Sequence, residues 1–217
     1  MSRKVVKRLD SVIAGKSLLK HPFYRAWTAG ELPLERLRGY AVKYFPHVAA
    51  FPRYLSAIHS RCDNIATRQA LLENLIEEER GADNHPELWL RFAESLDVGR
   101  EEVLGAVPVA AATALVGVYS DLAANAPIAA GLAALYAYES QIPAVAAAKI
   151  DALRRFYGIE DHRGLQFFLV HQRADVFHAA TGAELIERHC ASPADGSAAI
   201  EAANRSLDAV WSMLDAI

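Results

Sequence analysis

The stretch GLQFFLVHQRADVFHAA, residues 164–180, decides the fold class. Its apolar residues Leu165, Phe167, Phe168, Leu169, Val170, Val176 and Phe177 predict a buried helix rather than an alternating strand. Within it His171, Asp175 and His178 stand at i, i+4 and i+7, which on a helix puts all three on one face. Burying unpaired polar and ionisable groups costs several kcal/mol, so this face needs a compensating partner, and a metal ion is the obvious one.

Outward from this helix, nearly every segment reads the same way. Ala and Leu are abundant and β-branched alternation is scarce. The first helix is expected from Ser2 to Leu19. His21-Pro22 breaks the chain, and a short helix follows through Trp27 to Gly30. Pro33 opens a longer helix toward Ser60, with kinks expected at Pro46 and Pro52. A turn at Arg61 to Asn64 precedes a helix from Ile65 through the acidic run Glu77, Glu78, Glu79, which continues or restarts at Pro86. Helices are expected at Pro108–Ala124 and from Pro127 to Tyr157, the latter kinked at Pro143. Asp161 starts the helix quoted above. Ser192, Pro193 and Asp195 form an N-cap signature for the last helix. No repeat, linker or composition break divides the chain, so the expectation is one all-helical domain over residues 1–217, a bundle of antiparallel neighbours.

Two other helices offer partners for the histidine face. Glu78 and His85 are two helical turns apart, although Gly81 and Pro86 interrupt the pattern between them. Glu139, in LYAYESQIP, is the only acid between Asp121 and Asp151. Singly, Glu78 reads as a solvated charge, His85 as a helix-start residue, Glu139 as the partner of an arginine, and the triplet as a core hydrogen-bond network. Jointly, each of those readings needs its own separate partner. Glu78, His85, Glu139, His171, Asp175 and His178 together give three carboxylates and three imidazoles. Two divalent cations would be nearly balanced by three carboxylates, and carboxylates can bridge metals about 3.5–4 Å apart. Mixed nitrogen and oxygen ligation suits iron or manganese. The Glu-x-x-His spacing of ferritin-like bundles is absent at these positions, which points to a different helical architecture.

Bulk properties exclude other classes. The 217 residues suffice for one full core, and 53% are hydrophobic. No uncharged apolar run is long enough to span a membrane. Met1 to Lys20 is basic, with Arg3, Lys4, Lys7, Arg8, Lys16 and Lys20, but has no continuous apolar core, and it reads as a solvated helix face rather than a signal peptide. A net charge of −3 argues against a nucleic-acid binder. Cys62 and Cys190 form no disulfide framework, which fits a reducing, cytoplasmic compartment.

The motifs also carry a resemblance. HPFYRAW (21–27), GELPLERLRGYAVKYFPHVAAFPRYL (30–55), Glu78-x6-His85, Tyr138-Glu139-Ser140 and His171-x3-Asp175-x2-His178 resemble the heme-oxygenase-like helical family. That family includes the TenA thiaminases and the pyrroloquinoline-quinone synthase C enzymes. The similarity covers nearly the whole chain and is strongest to the branch of the Chlamydia protein associating with death domains (CADD). The opening segment is shared widely, whereas the six-residue set is specific to the family's dimetal oxidases. The resemblance implies a seven-helix bundle without heme, two metals (Fe/Fe or Fe/Mn), dioxygen with an external reductant, and para-aminobenzoate synthesis for folate. It further implies self-sacrifice, with Tyr24 supplying the ring and Lys149 the amino group. It also allows a homodimer.

The apolar surround of Lys149 in PAVAAAKIDAL favours a neutral, nucleophilic amine. On a straight helix Lys149 would stand about 15 Å along the axis from Glu139, so its reach depends on the break at Pro143. Tyr138, next to Glu139, and secondarily Tyr40 are candidates for hydrogen-bond support of the metal ligands or for radical relay, although Tyr40 reads first as a core-packing residue. One departure from relatives is Lys43-Tyr44-Phe45 in place of a frequent Gln-Tyr-Tyr. Competing readings are a dimetal oxidase acting on an external substrate (N-oxygenation or fatty-acid decarboxylation), a cofactorless quinone-synthase-like oxidase, a thiaminase needing a pocket cysteine, and a helical interaction module.

Overall fold

The computed structural model describes residues 4–217, and no strand occurs among them. Twelve α-helices follow in order: α1 Lys4–Gly15, α2 Pro22–Thr28, α3 Leu34–Lys43, α4 Phe45–Arg61, α5 Ile65–Glu79, α6 His85–Ser95, α7 Arg100–Gly105, α8 Ala110–Asn125, α9 Ile128–Glu139, α10 Ile142–Phe156, α11 His162–His189 and α12 Pro193–Asp215. A 3₁₀ turn, Leu18–Lys20, sits between α1 and α2. The expected start of the first helix at Ser2, and Arg3 with it, lie outside the described residues; its expected end at Leu19 is cut back to Gly15.

The helix count corrects the expected seven, and proline chemistry supplies the reason. Pro22, Pro46, Pro86, Pro143 and Pro193 all lie at the first or second position of a helix, and Pro33 and Pro127 are N-caps. A proline there loses only an N–H that has no intrahelical partner anyway. Pro46 and Pro143 therefore mark restarts, not kinks. The long helices expected over 33–60 and 127–157 are each two helices, divided at Tyr44 and at Ser140-Gln141. Only Pro52 lies inside a helix. The short α7 had no counterpart in the sequence reading.

Polar side chains fix the other starts. Asn64, Asn84 and Asp161 each accept from a backbone N–H three residues on, and Ser192 with Asp195 forms the expected capping box. One continuous apolar core draws on every helix from α1 to α12, with α5 and α7 adding one residue each, Leu71 and Val103. α9 is buried on nearly all sides and packs on α12, α11 and α8. No described helix is long and apolar enough to cross a membrane. Cys62 and Cys190 are both free thiols.

An ion-pair network clips α6 to α7 and α11. Glu87 receives two hydrogen bonds from Arg100 (2.6 and 2.8 Å) and one from Arg91 (2.9 Å). Glu94 receives Arg100 and Arg163. The Arg100 hydrogen bonds hold the Glu87 carboxyl down at about 2, below its ordinary 4.5. A depressed carboxyl contributes stability above its unfolded pKa and loses it as pH falls through the folded value. Glu87→Ala is expected to cost about 1 kcal/mol at neutral pH, a cost that shrinks from pH 4.5 down to 2. Urea titrations of both proteins across that range check it; a pH-independent difference would count against the ion pairs as the source.

Candidate metal centre

The end of α5, the start of α6, the end of α9 and the middle of α11 converge on one point. α5 ends at Glu79, and Gly81 takes a φ of +77°, open to glycine at little cost. Asn84 folds this turn by donating to the Gly81 carbonyl (2.9 Å) and capping α6. The turn, not a continuous helix, brings His85 Nδ1 to 2.9 Å from Glu78 Oε2. Glu139 is the last residue of α9. Both glutamates thus sit at helix C-termini, where the helix dipole disfavours anions and favours cations.

The six residues divide into two triads, Glu78–His85–His171 and Glu139–Asp175–His178, each with one ligand atom per residue within 4.8 Å of the others. All but His171, which is partly exposed, are buried. The solvated reading of Glu78 therefore fails: its exposure is 4%. No arginine or lysine pairs with any of the six among the described residues.

Several contacts commit ring nitrogens. His171 Nδ1 lies 2.6 Å from the Phe167 carbonyl, so it is the protonated nitrogen and Nε2 is free to ligate. His178 Nδ1 lies 3.2 Å from Asp175 Oδ1 and 4.0 Å from Glu139 Oε1, while its Nε2 is 3.2 Å from Glu77 Oε2. Asn74 Nδ2 donates to Glu139 Oε1 at 2.9 Å. His85 Nδ1 and Asp175 Oδ2 are buried without a hydrogen-bond partner, the first despite its closeness to Glu78. Lone pairs facing one another without an aligned proton are the donor set a cation completes.

Electrostatics agree. Burial pushes Glu78 and Glu139 up to about 8 and His85 down to about 4, and lowers His171. Burial pulls His178 down too, but the Asp175 hydrogen bond and the Glu139 and Asp175 charges outweigh it and raise it to about 9. Without metal, burial favours the neutral carboxyls of Glu78 and Glu139; divalent cations would reverse that. The residues fit two metals with mixed nitrogen and oxygen ligation.

A cavity of about 350 Å³ adjoins the ligands and is lined by Tyr138, His47 and Phe51. Tyr24 does not line it. Tyr24 is instead the far end of a file of tyrosines. Tyr138 Oη accepts from Tyr44 Oη at 3.3 Å, the Tyr44 and Tyr40 rings are 5.0 Å apart, and Tyr40 Oη meets Tyr24 Oη at 3.3 Å. Burial raises all four phenols. Lys149 is buried at the far end of this file, among the rings of Tyr24, Tyr40, Trp27 and Phe168. Its Nζ donates to Tyr40 Oη at 2.9 Å and sits 4.6 Å from the Tyr24 ring centroid. Burial lowers its pKa well below the ordinary value. The chain breaks at Ser140-Gln141 between α9 and α10, and Lys149, like Tyr24, does not line the metal cavity; the group it reaches is the Tyr24 ring.

Sequence reasoning missed Tyr44, His47, Asn74 and Glu77. Tyr40, Tyr44, His47, Phe51 and Tyr54 recur at alternating spacings of four and three, a stripe that would have flagged the first two. His47 is buried and held neutral, its pKa lowered by burial to about 3, beside Tyr54 Oη (3.4 Å) and the Tyr138 ring. Cys62 lies against His189 and the Asn64 carbonyl, outside this cavity.

A family profile described as an iron-containing redox enzyme matches residues 38–211. A 4-aminobenzoate synthase of Nitrosomonas europaea is 43% identical, covering 97% of this chain and 89% of its own. One of Chlamydia muridarum is 42% identical, covering 99% and 90%. A TenA homologue of Pseudomonas syringae superposes with a TM-score of 0.84 at 17% identity over 99% of this chain and 94% of that one, a likeness of fold. The heme-oxygenase-like fold expected from the motifs is thereby borne out.

The buried carboxyls generate a prediction. A group whose folded pKa is raised contributes stability below its unfolded pKa and loses it as pH rises through the folded value. Metal-free Glu78→Gln should match the unmodified protein near pH 4.5 and become more stable by about 1–3 kcal/mol by pH 8. The same variant should lose most of the thermal stabilisation conferred by added iron or manganese. Melting curves with and without metal test both halves; a Gln variant less stable than the parent at pH 8 without metal contradicts the assignment.

Proposed function

The chain belongs to the family of iron-containing redox enzymes, and on that premise we propose that it is a dimetal oxygenase forming 4-aminobenzoate (para-aminobenzoate) for folate synthesis, with Tyr24 as the source of the ring and Lys149 of the amino group. The observation that carries this reading is the buried Lys149 amine poised over the Tyr24 ring. Relatives at 42–43% identity bearing the name 4-aminobenzoate synthase support the product.

Glu78, His85 and His171 would hold one ion, and Glu139, Asp175 and His178 the other. Iron there, alone or with manganese, would supply the oxidising power, with dioxygen as the oxidant and an external reductant as the electron source that keeps the metals able to react with it. The protein's part is positioning. Burial keeps Lys149 a neutral amine and Tyr24 a neutral phenol, so the two meet as nucleophile and ring rather than as an ion pair. Tyr40 Oη accepts from Lys149 Nζ and fixes the nitrogen beside the ring it must join. The remaining tyrosines give Tyr24 a hydrogen-bonded and stacked connection to Tyr138, which borders the metal ligands. Relay through Tyr138, Tyr44 and Tyr40 lets oxidation reach a residue outside the metal cavity. The aromatic enclosure of Trp27, Phe168 and the tyrosines keeps water from competing for the oxidised ring. Two free thiols agree with a reducing, cytoplasmic setting.

Protein loaded with iron and manganese, given reductant and dioxygen but no aromatic compound, should release no more than one 4-aminobenzoate per chain and leave a mass change at Tyr24. Tyr24→Phe should bind metal normally and make none; retained multiple turnover would transfer the reading to an external substrate. Lys149→Met should also abolish product and, by removing a buried amine from an apolar site, raise thermal stability by about 1 kcal/mol or more. A Lys149→Met protein that is less stable yet fully active would show that lysine to be structural.

A further inference from the structure

A second cavity lies on the other side of Glu139, and Glu139 lines both. It encloses about 680 Å³ including its mouth, between α4, α5, α9 and α11. Buried Leu55, Leu71, Leu132, Leu135 and Leu185 form its interior. Its inner end is Glu139 and His178, two members of one triad. Its rim carries Glu73, Glu77 and Phe177, all exposed, the last at 69%. The cavity thus runs from solvent to ligand atoms, and neither Tyr138 nor Tyr24 is among the residues that line it.

One wall residue argues that this space is kept open. Gly182 lies inside α11, where glycine costs about 1 kcal/mol relative to alanine. A Cβ there would meet only the Tyr136 side chain, at an ordinary 3.5 Å, and Gly182 has no positive φ. Neither packing nor backbone conformation demands glycine. Gly182 itself lines the cavity, so a side chain longer than alanine's would add bulk at its wall, beside Tyr136.

We infer that this cavity is the entry route for a small apolar gas, dioxygen, to the Glu139–Asp175–His178 half of the centre. Five leucines, Ala70 and Phe177 make most of its wall; the polar groups on it are Glu73 and Glu77 at the rim, Glu139 and His178 at the inner end, Thr181, and Asn74, whose Nδ2 donates to Glu139 while its Oδ1 has no partner. Charged or strongly hydrated molecules would be stripped of water without compensation, whereas dioxygen has no such cost. The apolar route stands on the geometry alone, and its assignment to dioxygen rests on the proposed oxygenase function. The two cavities then divide the labour: one admits the gas, the other faces the tyrosine file.

Xenon, which occupies dry apolar cavities, is the probe for the route. Crystals of the metal-free protein under xenon pressure should show xenon among Leu132, Leu135 and Leu185, and Gly182→Leu should remove it. The second measurement is the rate at which iron(II)-loaded protein is oxidised on mixing with dissolved dioxygen. Gly182→Leu and Ala70→Phe, on different helices, should each slow that second-order rate about tenfold, with iron content and melting temperature as controls, and Gly182→Ala should leave it near the parent value. No xenon in the cavity, or folded plug variants reacting at the parent rate, overturns the route. Xenon in place but parent iron(II) protein inert to dioxygen overturns the oxygenase reading and the dioxygen assignment together, while the apolar route remains.

Discussion

Three carboxylates and three imidazoles are held in the interior of a helical protein with no lysine or arginine beside them. In that medium each carboxylate must be neutralised, either by a proton or by a cation, and the raised pKa values of Glu78 and Glu139 express the first option. The arrangement around them follows from the second. Two glutamates are placed at helix C-termini, a turn built by Gly81 and Asn84 doubles the chain back on itself, and a backbone carbonyl holds His171 in the tautomer that ligates. Buried carboxyls of this kind cost the metal-free fold stability that bound cations would restore, so metal binding at the triads would be coupled to folding.

The same logic extends to Lys149. A lysine enclosed by aromatic rings and deprived of any carboxylate is a poor choice for stability. Its cost is understandable where a neutral amine is needed beside a phenol ring. Tyr24 and Lys149 sit apart from the metal cavity, and hydrogen bonds and ring contacts through Tyr40 and Tyr44 connect them to Tyr138 at its edge, which is the geometry the proposed self-sacrificing chemistry requires. Glu139 is the pivot, since it belongs to one of the two candidate metal triads, ends α9, follows Tyr138 in sequence and lines both cavities.

Much of this was legible in the chain. The triplet on α11 is a local pattern, because helical periodicity alone puts residues 171, 175 and 178 on one face. Glu139 stood out as an isolated acid in an apolar segment. Glu78 and His85 were harder, since the intervening turn breaks the helix that would have aligned them. Prolines at 46 and 143 were read as kinks, although the first turn of a helix accepts proline without penalty. Tyr44 and His47 escaped because packing aromatics and functional aromatics look alike in one dimension.

The sequence by itself determined the helical class, the helix-start chemistry at Asn64, Asn84, Asp161 and Ser192, and the set of groups too costly to bury alone. These are consequences of periodicity, capping and desolvation, which act within a few residues. Tertiary structure decided which of those groups meet. The division into two triads, the seating of Lys149 over Tyr24, and the leucine-walled cavity behind Glu139 all depend on angles between helices remote in the chain. Those angles are set by the whole core packing at once, and no local pattern encodes them.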